Sequence, residues 1–271
     1  MYGGTYRQEA PLSLIRISHE SLKIHLRAVA PVFFAIVFLI SGAARAANTN
    51  VAVAANFTEP AKEIAQLFES KTGHKAVLSF GATGQFYTQI TQAAPFQVFL
   101  SADESTPDKL VADGLAVANN RFTYAVGKLV LFSTNVTLIT GEQTLRFAKF
   151  NKIAIADPVT APYGAAAVQV MKALGVYDAL ASKIVQGSDI AQTFQFVETG
   201  NAELGFVALS QVIAKNGGSR WMVPANMYSP IRQDAVLLRS GADSEAAKAF
   251  LAFMKGPEAA KVIEKFGYGT M

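Results

Sequence analysis

The sequence predicts an α/β fold of two lobes that close on a ligand as a hinged clamshell. Short apolar runs alternate with amphipathic helical patterns, which is typical of a largely parallel sheet covered by helices. The alternation occurs on both sides of a long extended segment, Phe122 to Ser133, which we expect to cross from the first lobe into the second. Because more than one segment crosses, the lobes should hinge, and a ligand should bind in the cleft between them.

The first lobe is predicted to repeat a strand followed by a helix three times. The strands are residues 51–55, 76–80 and 98–100, and the helices contain residues 58–72, 86–90 and 107–113. Thr58 is expected to cap the first helix, and Gly73 to end it, because these residue types favour helix starts and left-handed helix ends.

The second lobe is predicted to continue the same pattern. Its strands are residues 153–156, 184–186 and 204–207, with helices over residues 163–174 and 189–198. The chain is expected to begin its return to the first lobe at Trp221. A strand over residues 235–238 follows, and the last two elements are helices over residues 244–255 and 257–266. The expected boundaries are residues 47–127 with 230–271 for lobe 1, and residues 128–229 for lobe 2.

Residues 22–46 have the order of a secretory signal. Lys23 and Arg27 give a basic start, a 13-residue apolar run broken only by Pro31 follows, and small residues end in Ala-Arg-Ala at Ala46. The run is shorter than the roughly 20 residues of a bilayer span, which leaves an uncleaved anchor as the weaker alternative. We expect cleavage after Ala46 and a periplasmic protein. Residues 1–21 are interpreted as a mis-started segment upstream of the signal.

Composition excludes several classes of function. Of 24 basic and 20 acidic residues, five and two lie in residues 1–46, so the exported chain has a net charge of +1 and no basic surface for nucleic acid. The absence of cysteine excludes disulfides and thiol catalysis. His74 is the one histidine after residue 46, so neither a multi-histidine metal site nor a histidine-based triad is expected, and we interpret it as a surface residue.

Four turns share one design, in which a strand ends, small or polar residues follow, and a helix begins. They are residues 54–58, 80–84, 161–164 and 187–190. Each offers free backbone N–H groups and the positive end of a helix dipole, which bind anions without a cationic side chain. Asp189 is expected to cap its helix, with Gln192 at the capping-box position, and to face away from the anion.

The same stretches resemble the periplasmic molybdate-binding proteins, the solute-binding subunits of molybdate ABC importers. The resemblance runs from about Asn50 to Tyr268 and includes VAVAANFTEPAKEIAQLF, VLSFGATGQFYTQI, IAIADPVTAPYGAAAVQVM and MKGPEAAKVIEKFGY. It implies a type II periplasmic-binding-protein fold that holds tetrahedral molybdate or tungstate in the cleft. It also implies an ABC permease as partner, no cofactor and no enzymatic activity, and we expect a monomer.

By position, the resemblance implies that the oxyanion binds to Ala55, Asn56, Thr83, Tyr163 and Ile190. Molybdenum would then be present only as the bound oxyanion. Some members of the family add a tyrosine hydroxyl where this chain has Ala208, so Tyr163 or the Asn56 side-chain amide is a candidate replacement.

Simpler interpretations stay open at this stage. Asn56 and Thr83 are also suited to plain helix capping, and Tyr163 to packing. Asp103 and Asp157 are better explained as turn formers than as a catalytic pair. A receptor for another oxyanion such as sulfate is the alternative within the same class. A secreted α/β hydrolase is the alternative enzyme, although the chain lacks a G-x-S-x-G motif. A sensor domain would need a further domain or membrane helix.

Overall fold

The computed structural model describes residues 1–5, 7 and 46–269. Chain contacts divide the protein into two units, residues 1–45 and 46–271, and all helices and strands given below lie in the second. Except for Ala46, the predicted signal segment lies outside the described residues. No helix in the described part of the chain is both long and apolar enough to cross a membrane.

The strands and helices follow each other much as predicted. The strands are β1 (Asn48–Ala54), β2 (Lys75–Gly81), β3 (Val98–Leu100), β4 (Phe122–Gly127), β5 (Leu129–Ser133), β6 (Ile153–Ala156), β7 (Ile184–Gly187), β8 (Leu204–Ala208), β9 (Ser219–Met222) and β10 (Ile231–Leu237). The helices are α1 (Thr58–Thr72), α2 (Thr83–Thr91), α3 (Ser105–Ala112), α4 (Gln143–Phe147), α5 (Pro162–Ala173), α6 (Tyr177–Leu180), α7 (Ile190–Glu198), α8 (Leu209–Val212), α9 (Glu245–Met254) and α10 (Pro257–Lys265).

Two five-stranded sheets organise these elements. The first has the strand order β2-β1-β3-β10-β4, and the second has the order β7-β6-β8-β5-β9. This confirms the predicted α/β class. The sheets are mixed and not largely parallel, because β10 and β4 in the first sheet and β5 and β9 in the second run antiparallel to their neighbours.

Two segments connect the sheets. The predicted extended segment consists of β4 in the first sheet and β5 in the second, separated by Lys128 alone. The chain returns between β9 and β10. The pairing of β10 with β4 shifts register between Gln233 and Asp234, because Gln233 lies opposite Ala125 and Asp234 lies opposite Thr123. Such a bulge redirects side chains, and this one lies close to both connections.

Apolar packing fixes each helix on its sheet. Against the first sheet, Phe68 of α1 and Phe250 of α9 are fully buried, with ring centroids 5.2 Å apart in an edge-on arrangement. Burying a side chain of this size stabilises the fold by about 1.5–3 kcal/mol. Against the second sheet, Ala167 and Met171 of α5 are fully buried in the core. Along the chain, α2, α5 and α7 begin shortly after the ends of β2, β6 and β7.

One expected cap is wrong. Thr58 is the first residue of α1, and its hydroxyl donates to the Ala55 carbonyl oxygen at 2.8 Å instead of accepting from a helix amide. A short 3-10 helix, Ala55–Phe57, precedes α1 and shifts the helix start. Gly73 ends α1 as predicted, with a left-handed φ of 73° that glycine adopts without strain.

Candidate functional site

Residues from all four predicted turns line one small cavity. Its volume is about 10 Å³, close to that of one water-sized sphere. Its lining includes all five residues predicted to bind the oxyanion, together with seven neighbours. The twelve are Ala54, Ala55, Asn56, Gly81, Ala82, Thr83, Ala102, Ala161, Pro162, Tyr163, Asp189 and Ile190.

The first turn offers backbone amides. Ala55 and Asn56 are the first two residues of the 3-10 helix, a position whose N–H groups precede the first intrahelical bond. Both residues are buried. The Asn56 side chain points elsewhere, because its Nδ2 donates to Gln233 Oε1 at 2.8 Å and to the Tyr268 hydroxyl at 3.0 Å. Both protons of this amide are therefore used within the protein, and the backbone N–H is what Asn56 can offer to a ligand.

The second turn offers a hydroxyl. Thr83 is the first residue of α2 and is 2% exposed. Its Oγ1 accepts a hydrogen bond from the Ala102 N–H at 3.0 Å. Within residues 46–269 this hydroxyl accepts that bond and donates to no protein group, so its proton can be donated to a ligand. The next amide, that of Gly84, donates to the Thr160 carbonyl oxygen at 2.9 Å and is used in a contact between the two lobes.

The third turn presents the backbone of Tyr163 to the cavity. Pro162 is the first residue of α5 and has no N–H, so Tyr163 supplies the first amide of this helix. Its hydroxyl lies 3.2 Å from Gln233 Nε2, which donates to it. Burial raises the pKa of Tyr163 well above its usual value, and Tyr268 and Tyr124 add to the effect, so the hydroxyl stays protonated.

The fourth turn is an N-cap next to the cavity. Asp189 Oδ1 accepts from the Gln192 N–H at 2.8 Å, as predicted for a cap. Gln192 Oε1 accepts from the Ser188 N–H at 2.7 Å, one residue earlier than in the expected capping box. The amide of Ile190, the first residue of α7, precedes the first intrahelical bond and remains available. A carboxylate oxygen that accepts from a helix amide is partly neutralised by it and by the helix dipole.

A buried polar cluster behind the cavity was not predicted. Gln233 Oε1 accepts from Asn56 Nδ2 and from the Tyr124 hydroxyl, the latter at 3.0 Å. The Asn56 carbonyl oxygen accepts from Tyr268 at 2.7 Å and from Ser210 at 2.8 Å. Burial raises the pKa of Tyr124 and Tyr268. The sequence predicted that this strand begins at Ala235, after the polar residues Gln233 and Asp234. In the structure the strand begins at Ile231 and buries both polar side chains.

The other candidate residues have structural roles. Asp103 Oδ1 accepts from the Thr106 N–H at 2.8 Å at the start of α3, and Asp157 accepts from Val159 and Thr160 within its turn. Ala208 is fully buried, outside the cavity lining, and donates its N–H to Gln211. His74 is half-buried and stacks on Phe68.

A larger groove of about 420 Å³ adjoins the cavity and shares Ala102, Ala161 and Pro162 with it. Its lining carries Asp103, Glu104 and Arg232, and the Arg232 Nε atom lies 2.9 Å from Glu104 Oε1. Two carboxylates against one paired guanidinium do not favour a dianion. The converging donors therefore make the small cavity the better anion site, and the described residues hold no cluster of metal-binding side chains.

Known proteins match the chain over nearly all of its described part. Residues 49–269 match the family described as bacterial extracellular solute-binding protein. The molybdate-binding proteins ModA of Rhodobacter capsulatus and Azotobacter vinelandii are each 56% identical, covering 87% and 85% of this chain and 94% and 93% of their own lengths. The solved periplasmic molybdate-binding protein of Azotobacter vinelandii superposes with a TM-score of 0.80 at 41% identity, covering 82% of this chain and 99% of that one.

Identity of this extent goes well beyond a shared architecture, and the range matched by the family, residues 49–269, contains all four turns that line the cavity. The structural match confirms the predicted periplasmic-binding-protein fold. The chain belongs to the bacterial extracellular solute-binding proteins and, within that family, to the molybdate-binding proteins.

Proposed function

We propose that this protein is a periplasmic receptor that captures molybdate and tungstate and delivers them to an ABC importer in the inner membrane. The observation that carries the proposal is the convergence of four helix starts on one cavity whose twelve lining residues include no lysine or arginine. Helix starts bind anions through their free amides and dipoles. The names of the two curated relatives support molybdate as the anion.

The proposed ligands are the backbone amides of Ala55, Asn56, Tyr163 and Ile190 and the hydroxyl of Thr83. Hydrogen bonds to a charged group contribute about 1.5–3 kcal/mol each, and together they offset the desolvation of a dianion. Molybdenum enters this site only inside the oxyanion, and no cofactor is needed. As a solute-binding protein of this family, the protein is not an enzyme, which argues against the hydrolase alternative.

Selectivity follows from rigid donors of one kind. Backbone amides at helix starts set a fixed radius, so a smaller tetrahedral ion such as sulfate loses several bonds together. The five proposed ligands act as donors, which disfavours a protonated anion because its O–H would gain no bond from them, although the Asp189 carboxylate also lies in the lining. Tungstate has the same charge and shape as molybdate and nearly the same size, so the same donors should hold it.

The remaining parts of the proposal concern location and organisation. We propose export with cleavage after Ala46, and a monomer with lobe 1 in residues 47–127 and 230–271 and lobe 2 in residues 128–229. The strands of the first sheet lie between residues 48 and 127 and between 231 and 237, which supports this division. The family description as extracellular supports the location.

Thermal melting with four anions tests the proposal. Molybdate at 100 times its dissociation constant should add about 2.7 kcal/mol of stability. For a protein of this size that raises Tm by about 5–10 °C. We expect this shift with molybdate and tungstate and almost none with sulfate or phosphate. Equal shifts with sulfate would favour the general oxyanion receptor, and no shift with any of the four would contradict the proposal.

Delivery is tested in cells that lack their own receptor but keep a molybdate permease. Expression of this protein should restore molybdate uptake at low external concentration. The matched control is Thr83→Ala, which removes one proposed donor and should restore less uptake at the same level of expression. Tight binding in the test tube without restored uptake would separate capture from delivery and contradict the importer part of the proposal.

A further inference from the structure

One buried glutamine contacts helix-start residues of both lobes behind the cavity. Gln233 lies on β10 and is fully buried. Its Oε1 accepts from Asn56 Nδ2 at 2.8 Å, and its Nε2 donates to the Tyr163 hydroxyl at 3.2 Å. We infer that Gln233 is a positioning residue that couples the two halves of the site, with the Tyr163 hydroxyl as its partner across the cleft. The inference rests on the proposed function.

The position of Gln233 in the fold suits this role. β4 precedes one connection between the sheets and β10 follows the other, and these two strands pair with each other. Gln233 lies two residues beyond the start of β10, at the bulge opposite Ala125. The bulge brings the Tyr124 hydroxyl within 3.0 Å of Gln233 Oε1. Because Oε1 accepts from Asn56 Nδ2, the Nε2 group is left to face the other lobe.

Gly127 leaves the space for this contact. A Cβ atom at residue 127 would lie 2.7 Å from Gln233 Nε2 and would overlap the Tyr163 hydroxyl. Gly127 is the last residue of β4 and pairs with Ile231 of β10. The end of β4, the start of β10 and the first turn of α5 therefore meet at this contact.

A contact between lobes contributes to ligand affinity in a particular way. The Tyr163–Gln233 bond can form only when the two halves of the site face each other, so it stabilises the closed, ligand-holding form over an open one. A ligand that binds the closed form then binds more tightly by the same factor. A net contribution of one neutral buried hydrogen bond corresponds to about threefold to tenfold in affinity.

Tyr163→Phe is the direct test, because it removes the hydroxyl and keeps the backbone amide that we assign to the anion. We expect the dissociation constant for molybdate to rise about threefold to tenfold, mainly through faster dissociation. The ratio of molybdate to tungstate affinity and the melting temperature without ligand should stay close to wild type. Titration calorimetry and stopped-flow fluorescence measure these quantities.

Tyr228→Phe is the matched control. Its hydroxyl is also buried and accepts from the Leu129 N–H at 3.1 Å, but both residues belong to the second lobe. This variant should lower the melting temperature without ligand and leave molybdate affinity unchanged. Gly127→Ala approaches the same contact from the first lobe, and it should weaken molybdate binding at least as much as Tyr163→Phe.

The outcomes separate the possibilities. Unchanged affinity in both Tyr163→Phe and Gly127→Ala would overturn the inference. A loss of more than about thirtyfold in Tyr163→Phe, with a changed molybdate-to-tungstate ratio, would also overturn it, because charge-assisted bonds to an anion are stronger and specific to it. Failure of the wild-type protein to bind molybdate would instead overturn the proposed function.

Discussion

At the scale of single residues, the site depends on where protons can go. The Thr83 oxygen is held by the Ala102 N–H, and the Asn56 side-chain amide is held by Gln233 and Tyr268. Two polar residues of the turns therefore differ: the threonine has a proton that we propose it donates to the ligand, and the asparagine side chain is bound within the protein. A residue name in a turn does not reveal this difference, because the neighbours that occupy each polar atom come from distant parts of the chain.

The Thr83 hydroxyl gives the first prediction at this scale. Thr83→Ala should raise the molybdate dissociation constant by about tenfold to a hundredfold, since a charge-assisted hydrogen bond contributes about 1.5–3 kcal/mol. Thr83→Ser keeps the hydroxyl and should bind within a few-fold of wild type. Titration calorimetry measures both.

Thr88→Ala is the control for this prediction. Thr88 lies in the same helix, and its hydroxyl bonds to the Gly84 carbonyl oxygen on an exposed face. It should leave molybdate affinity unchanged. Wild-type affinity in Thr83→Ala would remove this hydroxyl from the site.

At the scale of elements, the start of α7 combines an acidic cap with part of the proposed anion site. Asp189 accepts from the Gln192 N–H, and the cavity lining includes Asp189 and Ile190. The cap stabilises the helix, and the helix in turn orients the Ile190 amide. The negative charge of Asp189 is unfavourable for the proposed ligand, because a carboxylate repels a nearby dianion.

Two substitutions of Asp189 distinguish the effect of its helix cap from the effect of its charge. Asp189→Asn keeps a capping side chain and removes the charge, so we expect stability within about 0.5 kcal/mol of wild type and molybdate binding that is equal or tighter. Asp189→Ala should lose about 1 kcal/mol of unfolding free energy. Urea unfolding and titration calorimetry measure the two effects.

Ser244→Ala is the matched control, since Ser244 caps α9 by accepting from the Ala247 N–H at 3.2 Å and lies outside the cavity lining. It should lose similar stability without any change in molybdate affinity. Weaker molybdate binding by Asp189→Asn would mean that this carboxylate contributes something other than a cap.

At the scale of the whole molecule, three buried tyrosines belong to or adjoin the polar cluster. Burial raises the pKa of Tyr124, Tyr163 and Tyr268 above the usual value. In the unfolded chain these groups ionise near pH 10, whereas in the folded protein they stay protonated to higher pH. The unfolded state then binds fewer protons than the folded state, so stability falls as pH rises.

This predicts a steep alkaline loss of stability. The contribution of the three tyrosines is fully present below about pH 10 and is lost above it, by about 1.4 kcal/mol per pH unit for each group. Urea unfolding between about pH 9 and pH 11 measures the slope, and tyrosinate absorbance reports ionisation. Tyr124→Phe should reduce the tyrosine part of the slope by about one third. Ionisation of all tyrosines near pH 10 in the folded protein would contradict the prediction.

The order of strands and helices was readable because it depends on local patterns. Apolar runs of strand length and helix-capping residues act over a few neighbours, so the ends of β3 and β6 match the predicted ranges. The mixed direction of each sheet was not readable in the same way, because it depends on which distant strands pair. The start of β10 was also missed, since Gln233 and Asp234 are polar and only tertiary contacts explain their burial.

By itself the sequence determined the α/β class, the four turns and the likeness to one family of receptors, because these depend on short stretches and their order. Only the tertiary structure decided which atom of each residue faces the cavity. The Asn56 amide and the Tyr163 hydroxyl turn to Gln233, 177 and 70 positions away along the chain. Hydrogen-bond partners at such separations are chosen by packing, which no local pattern encodes.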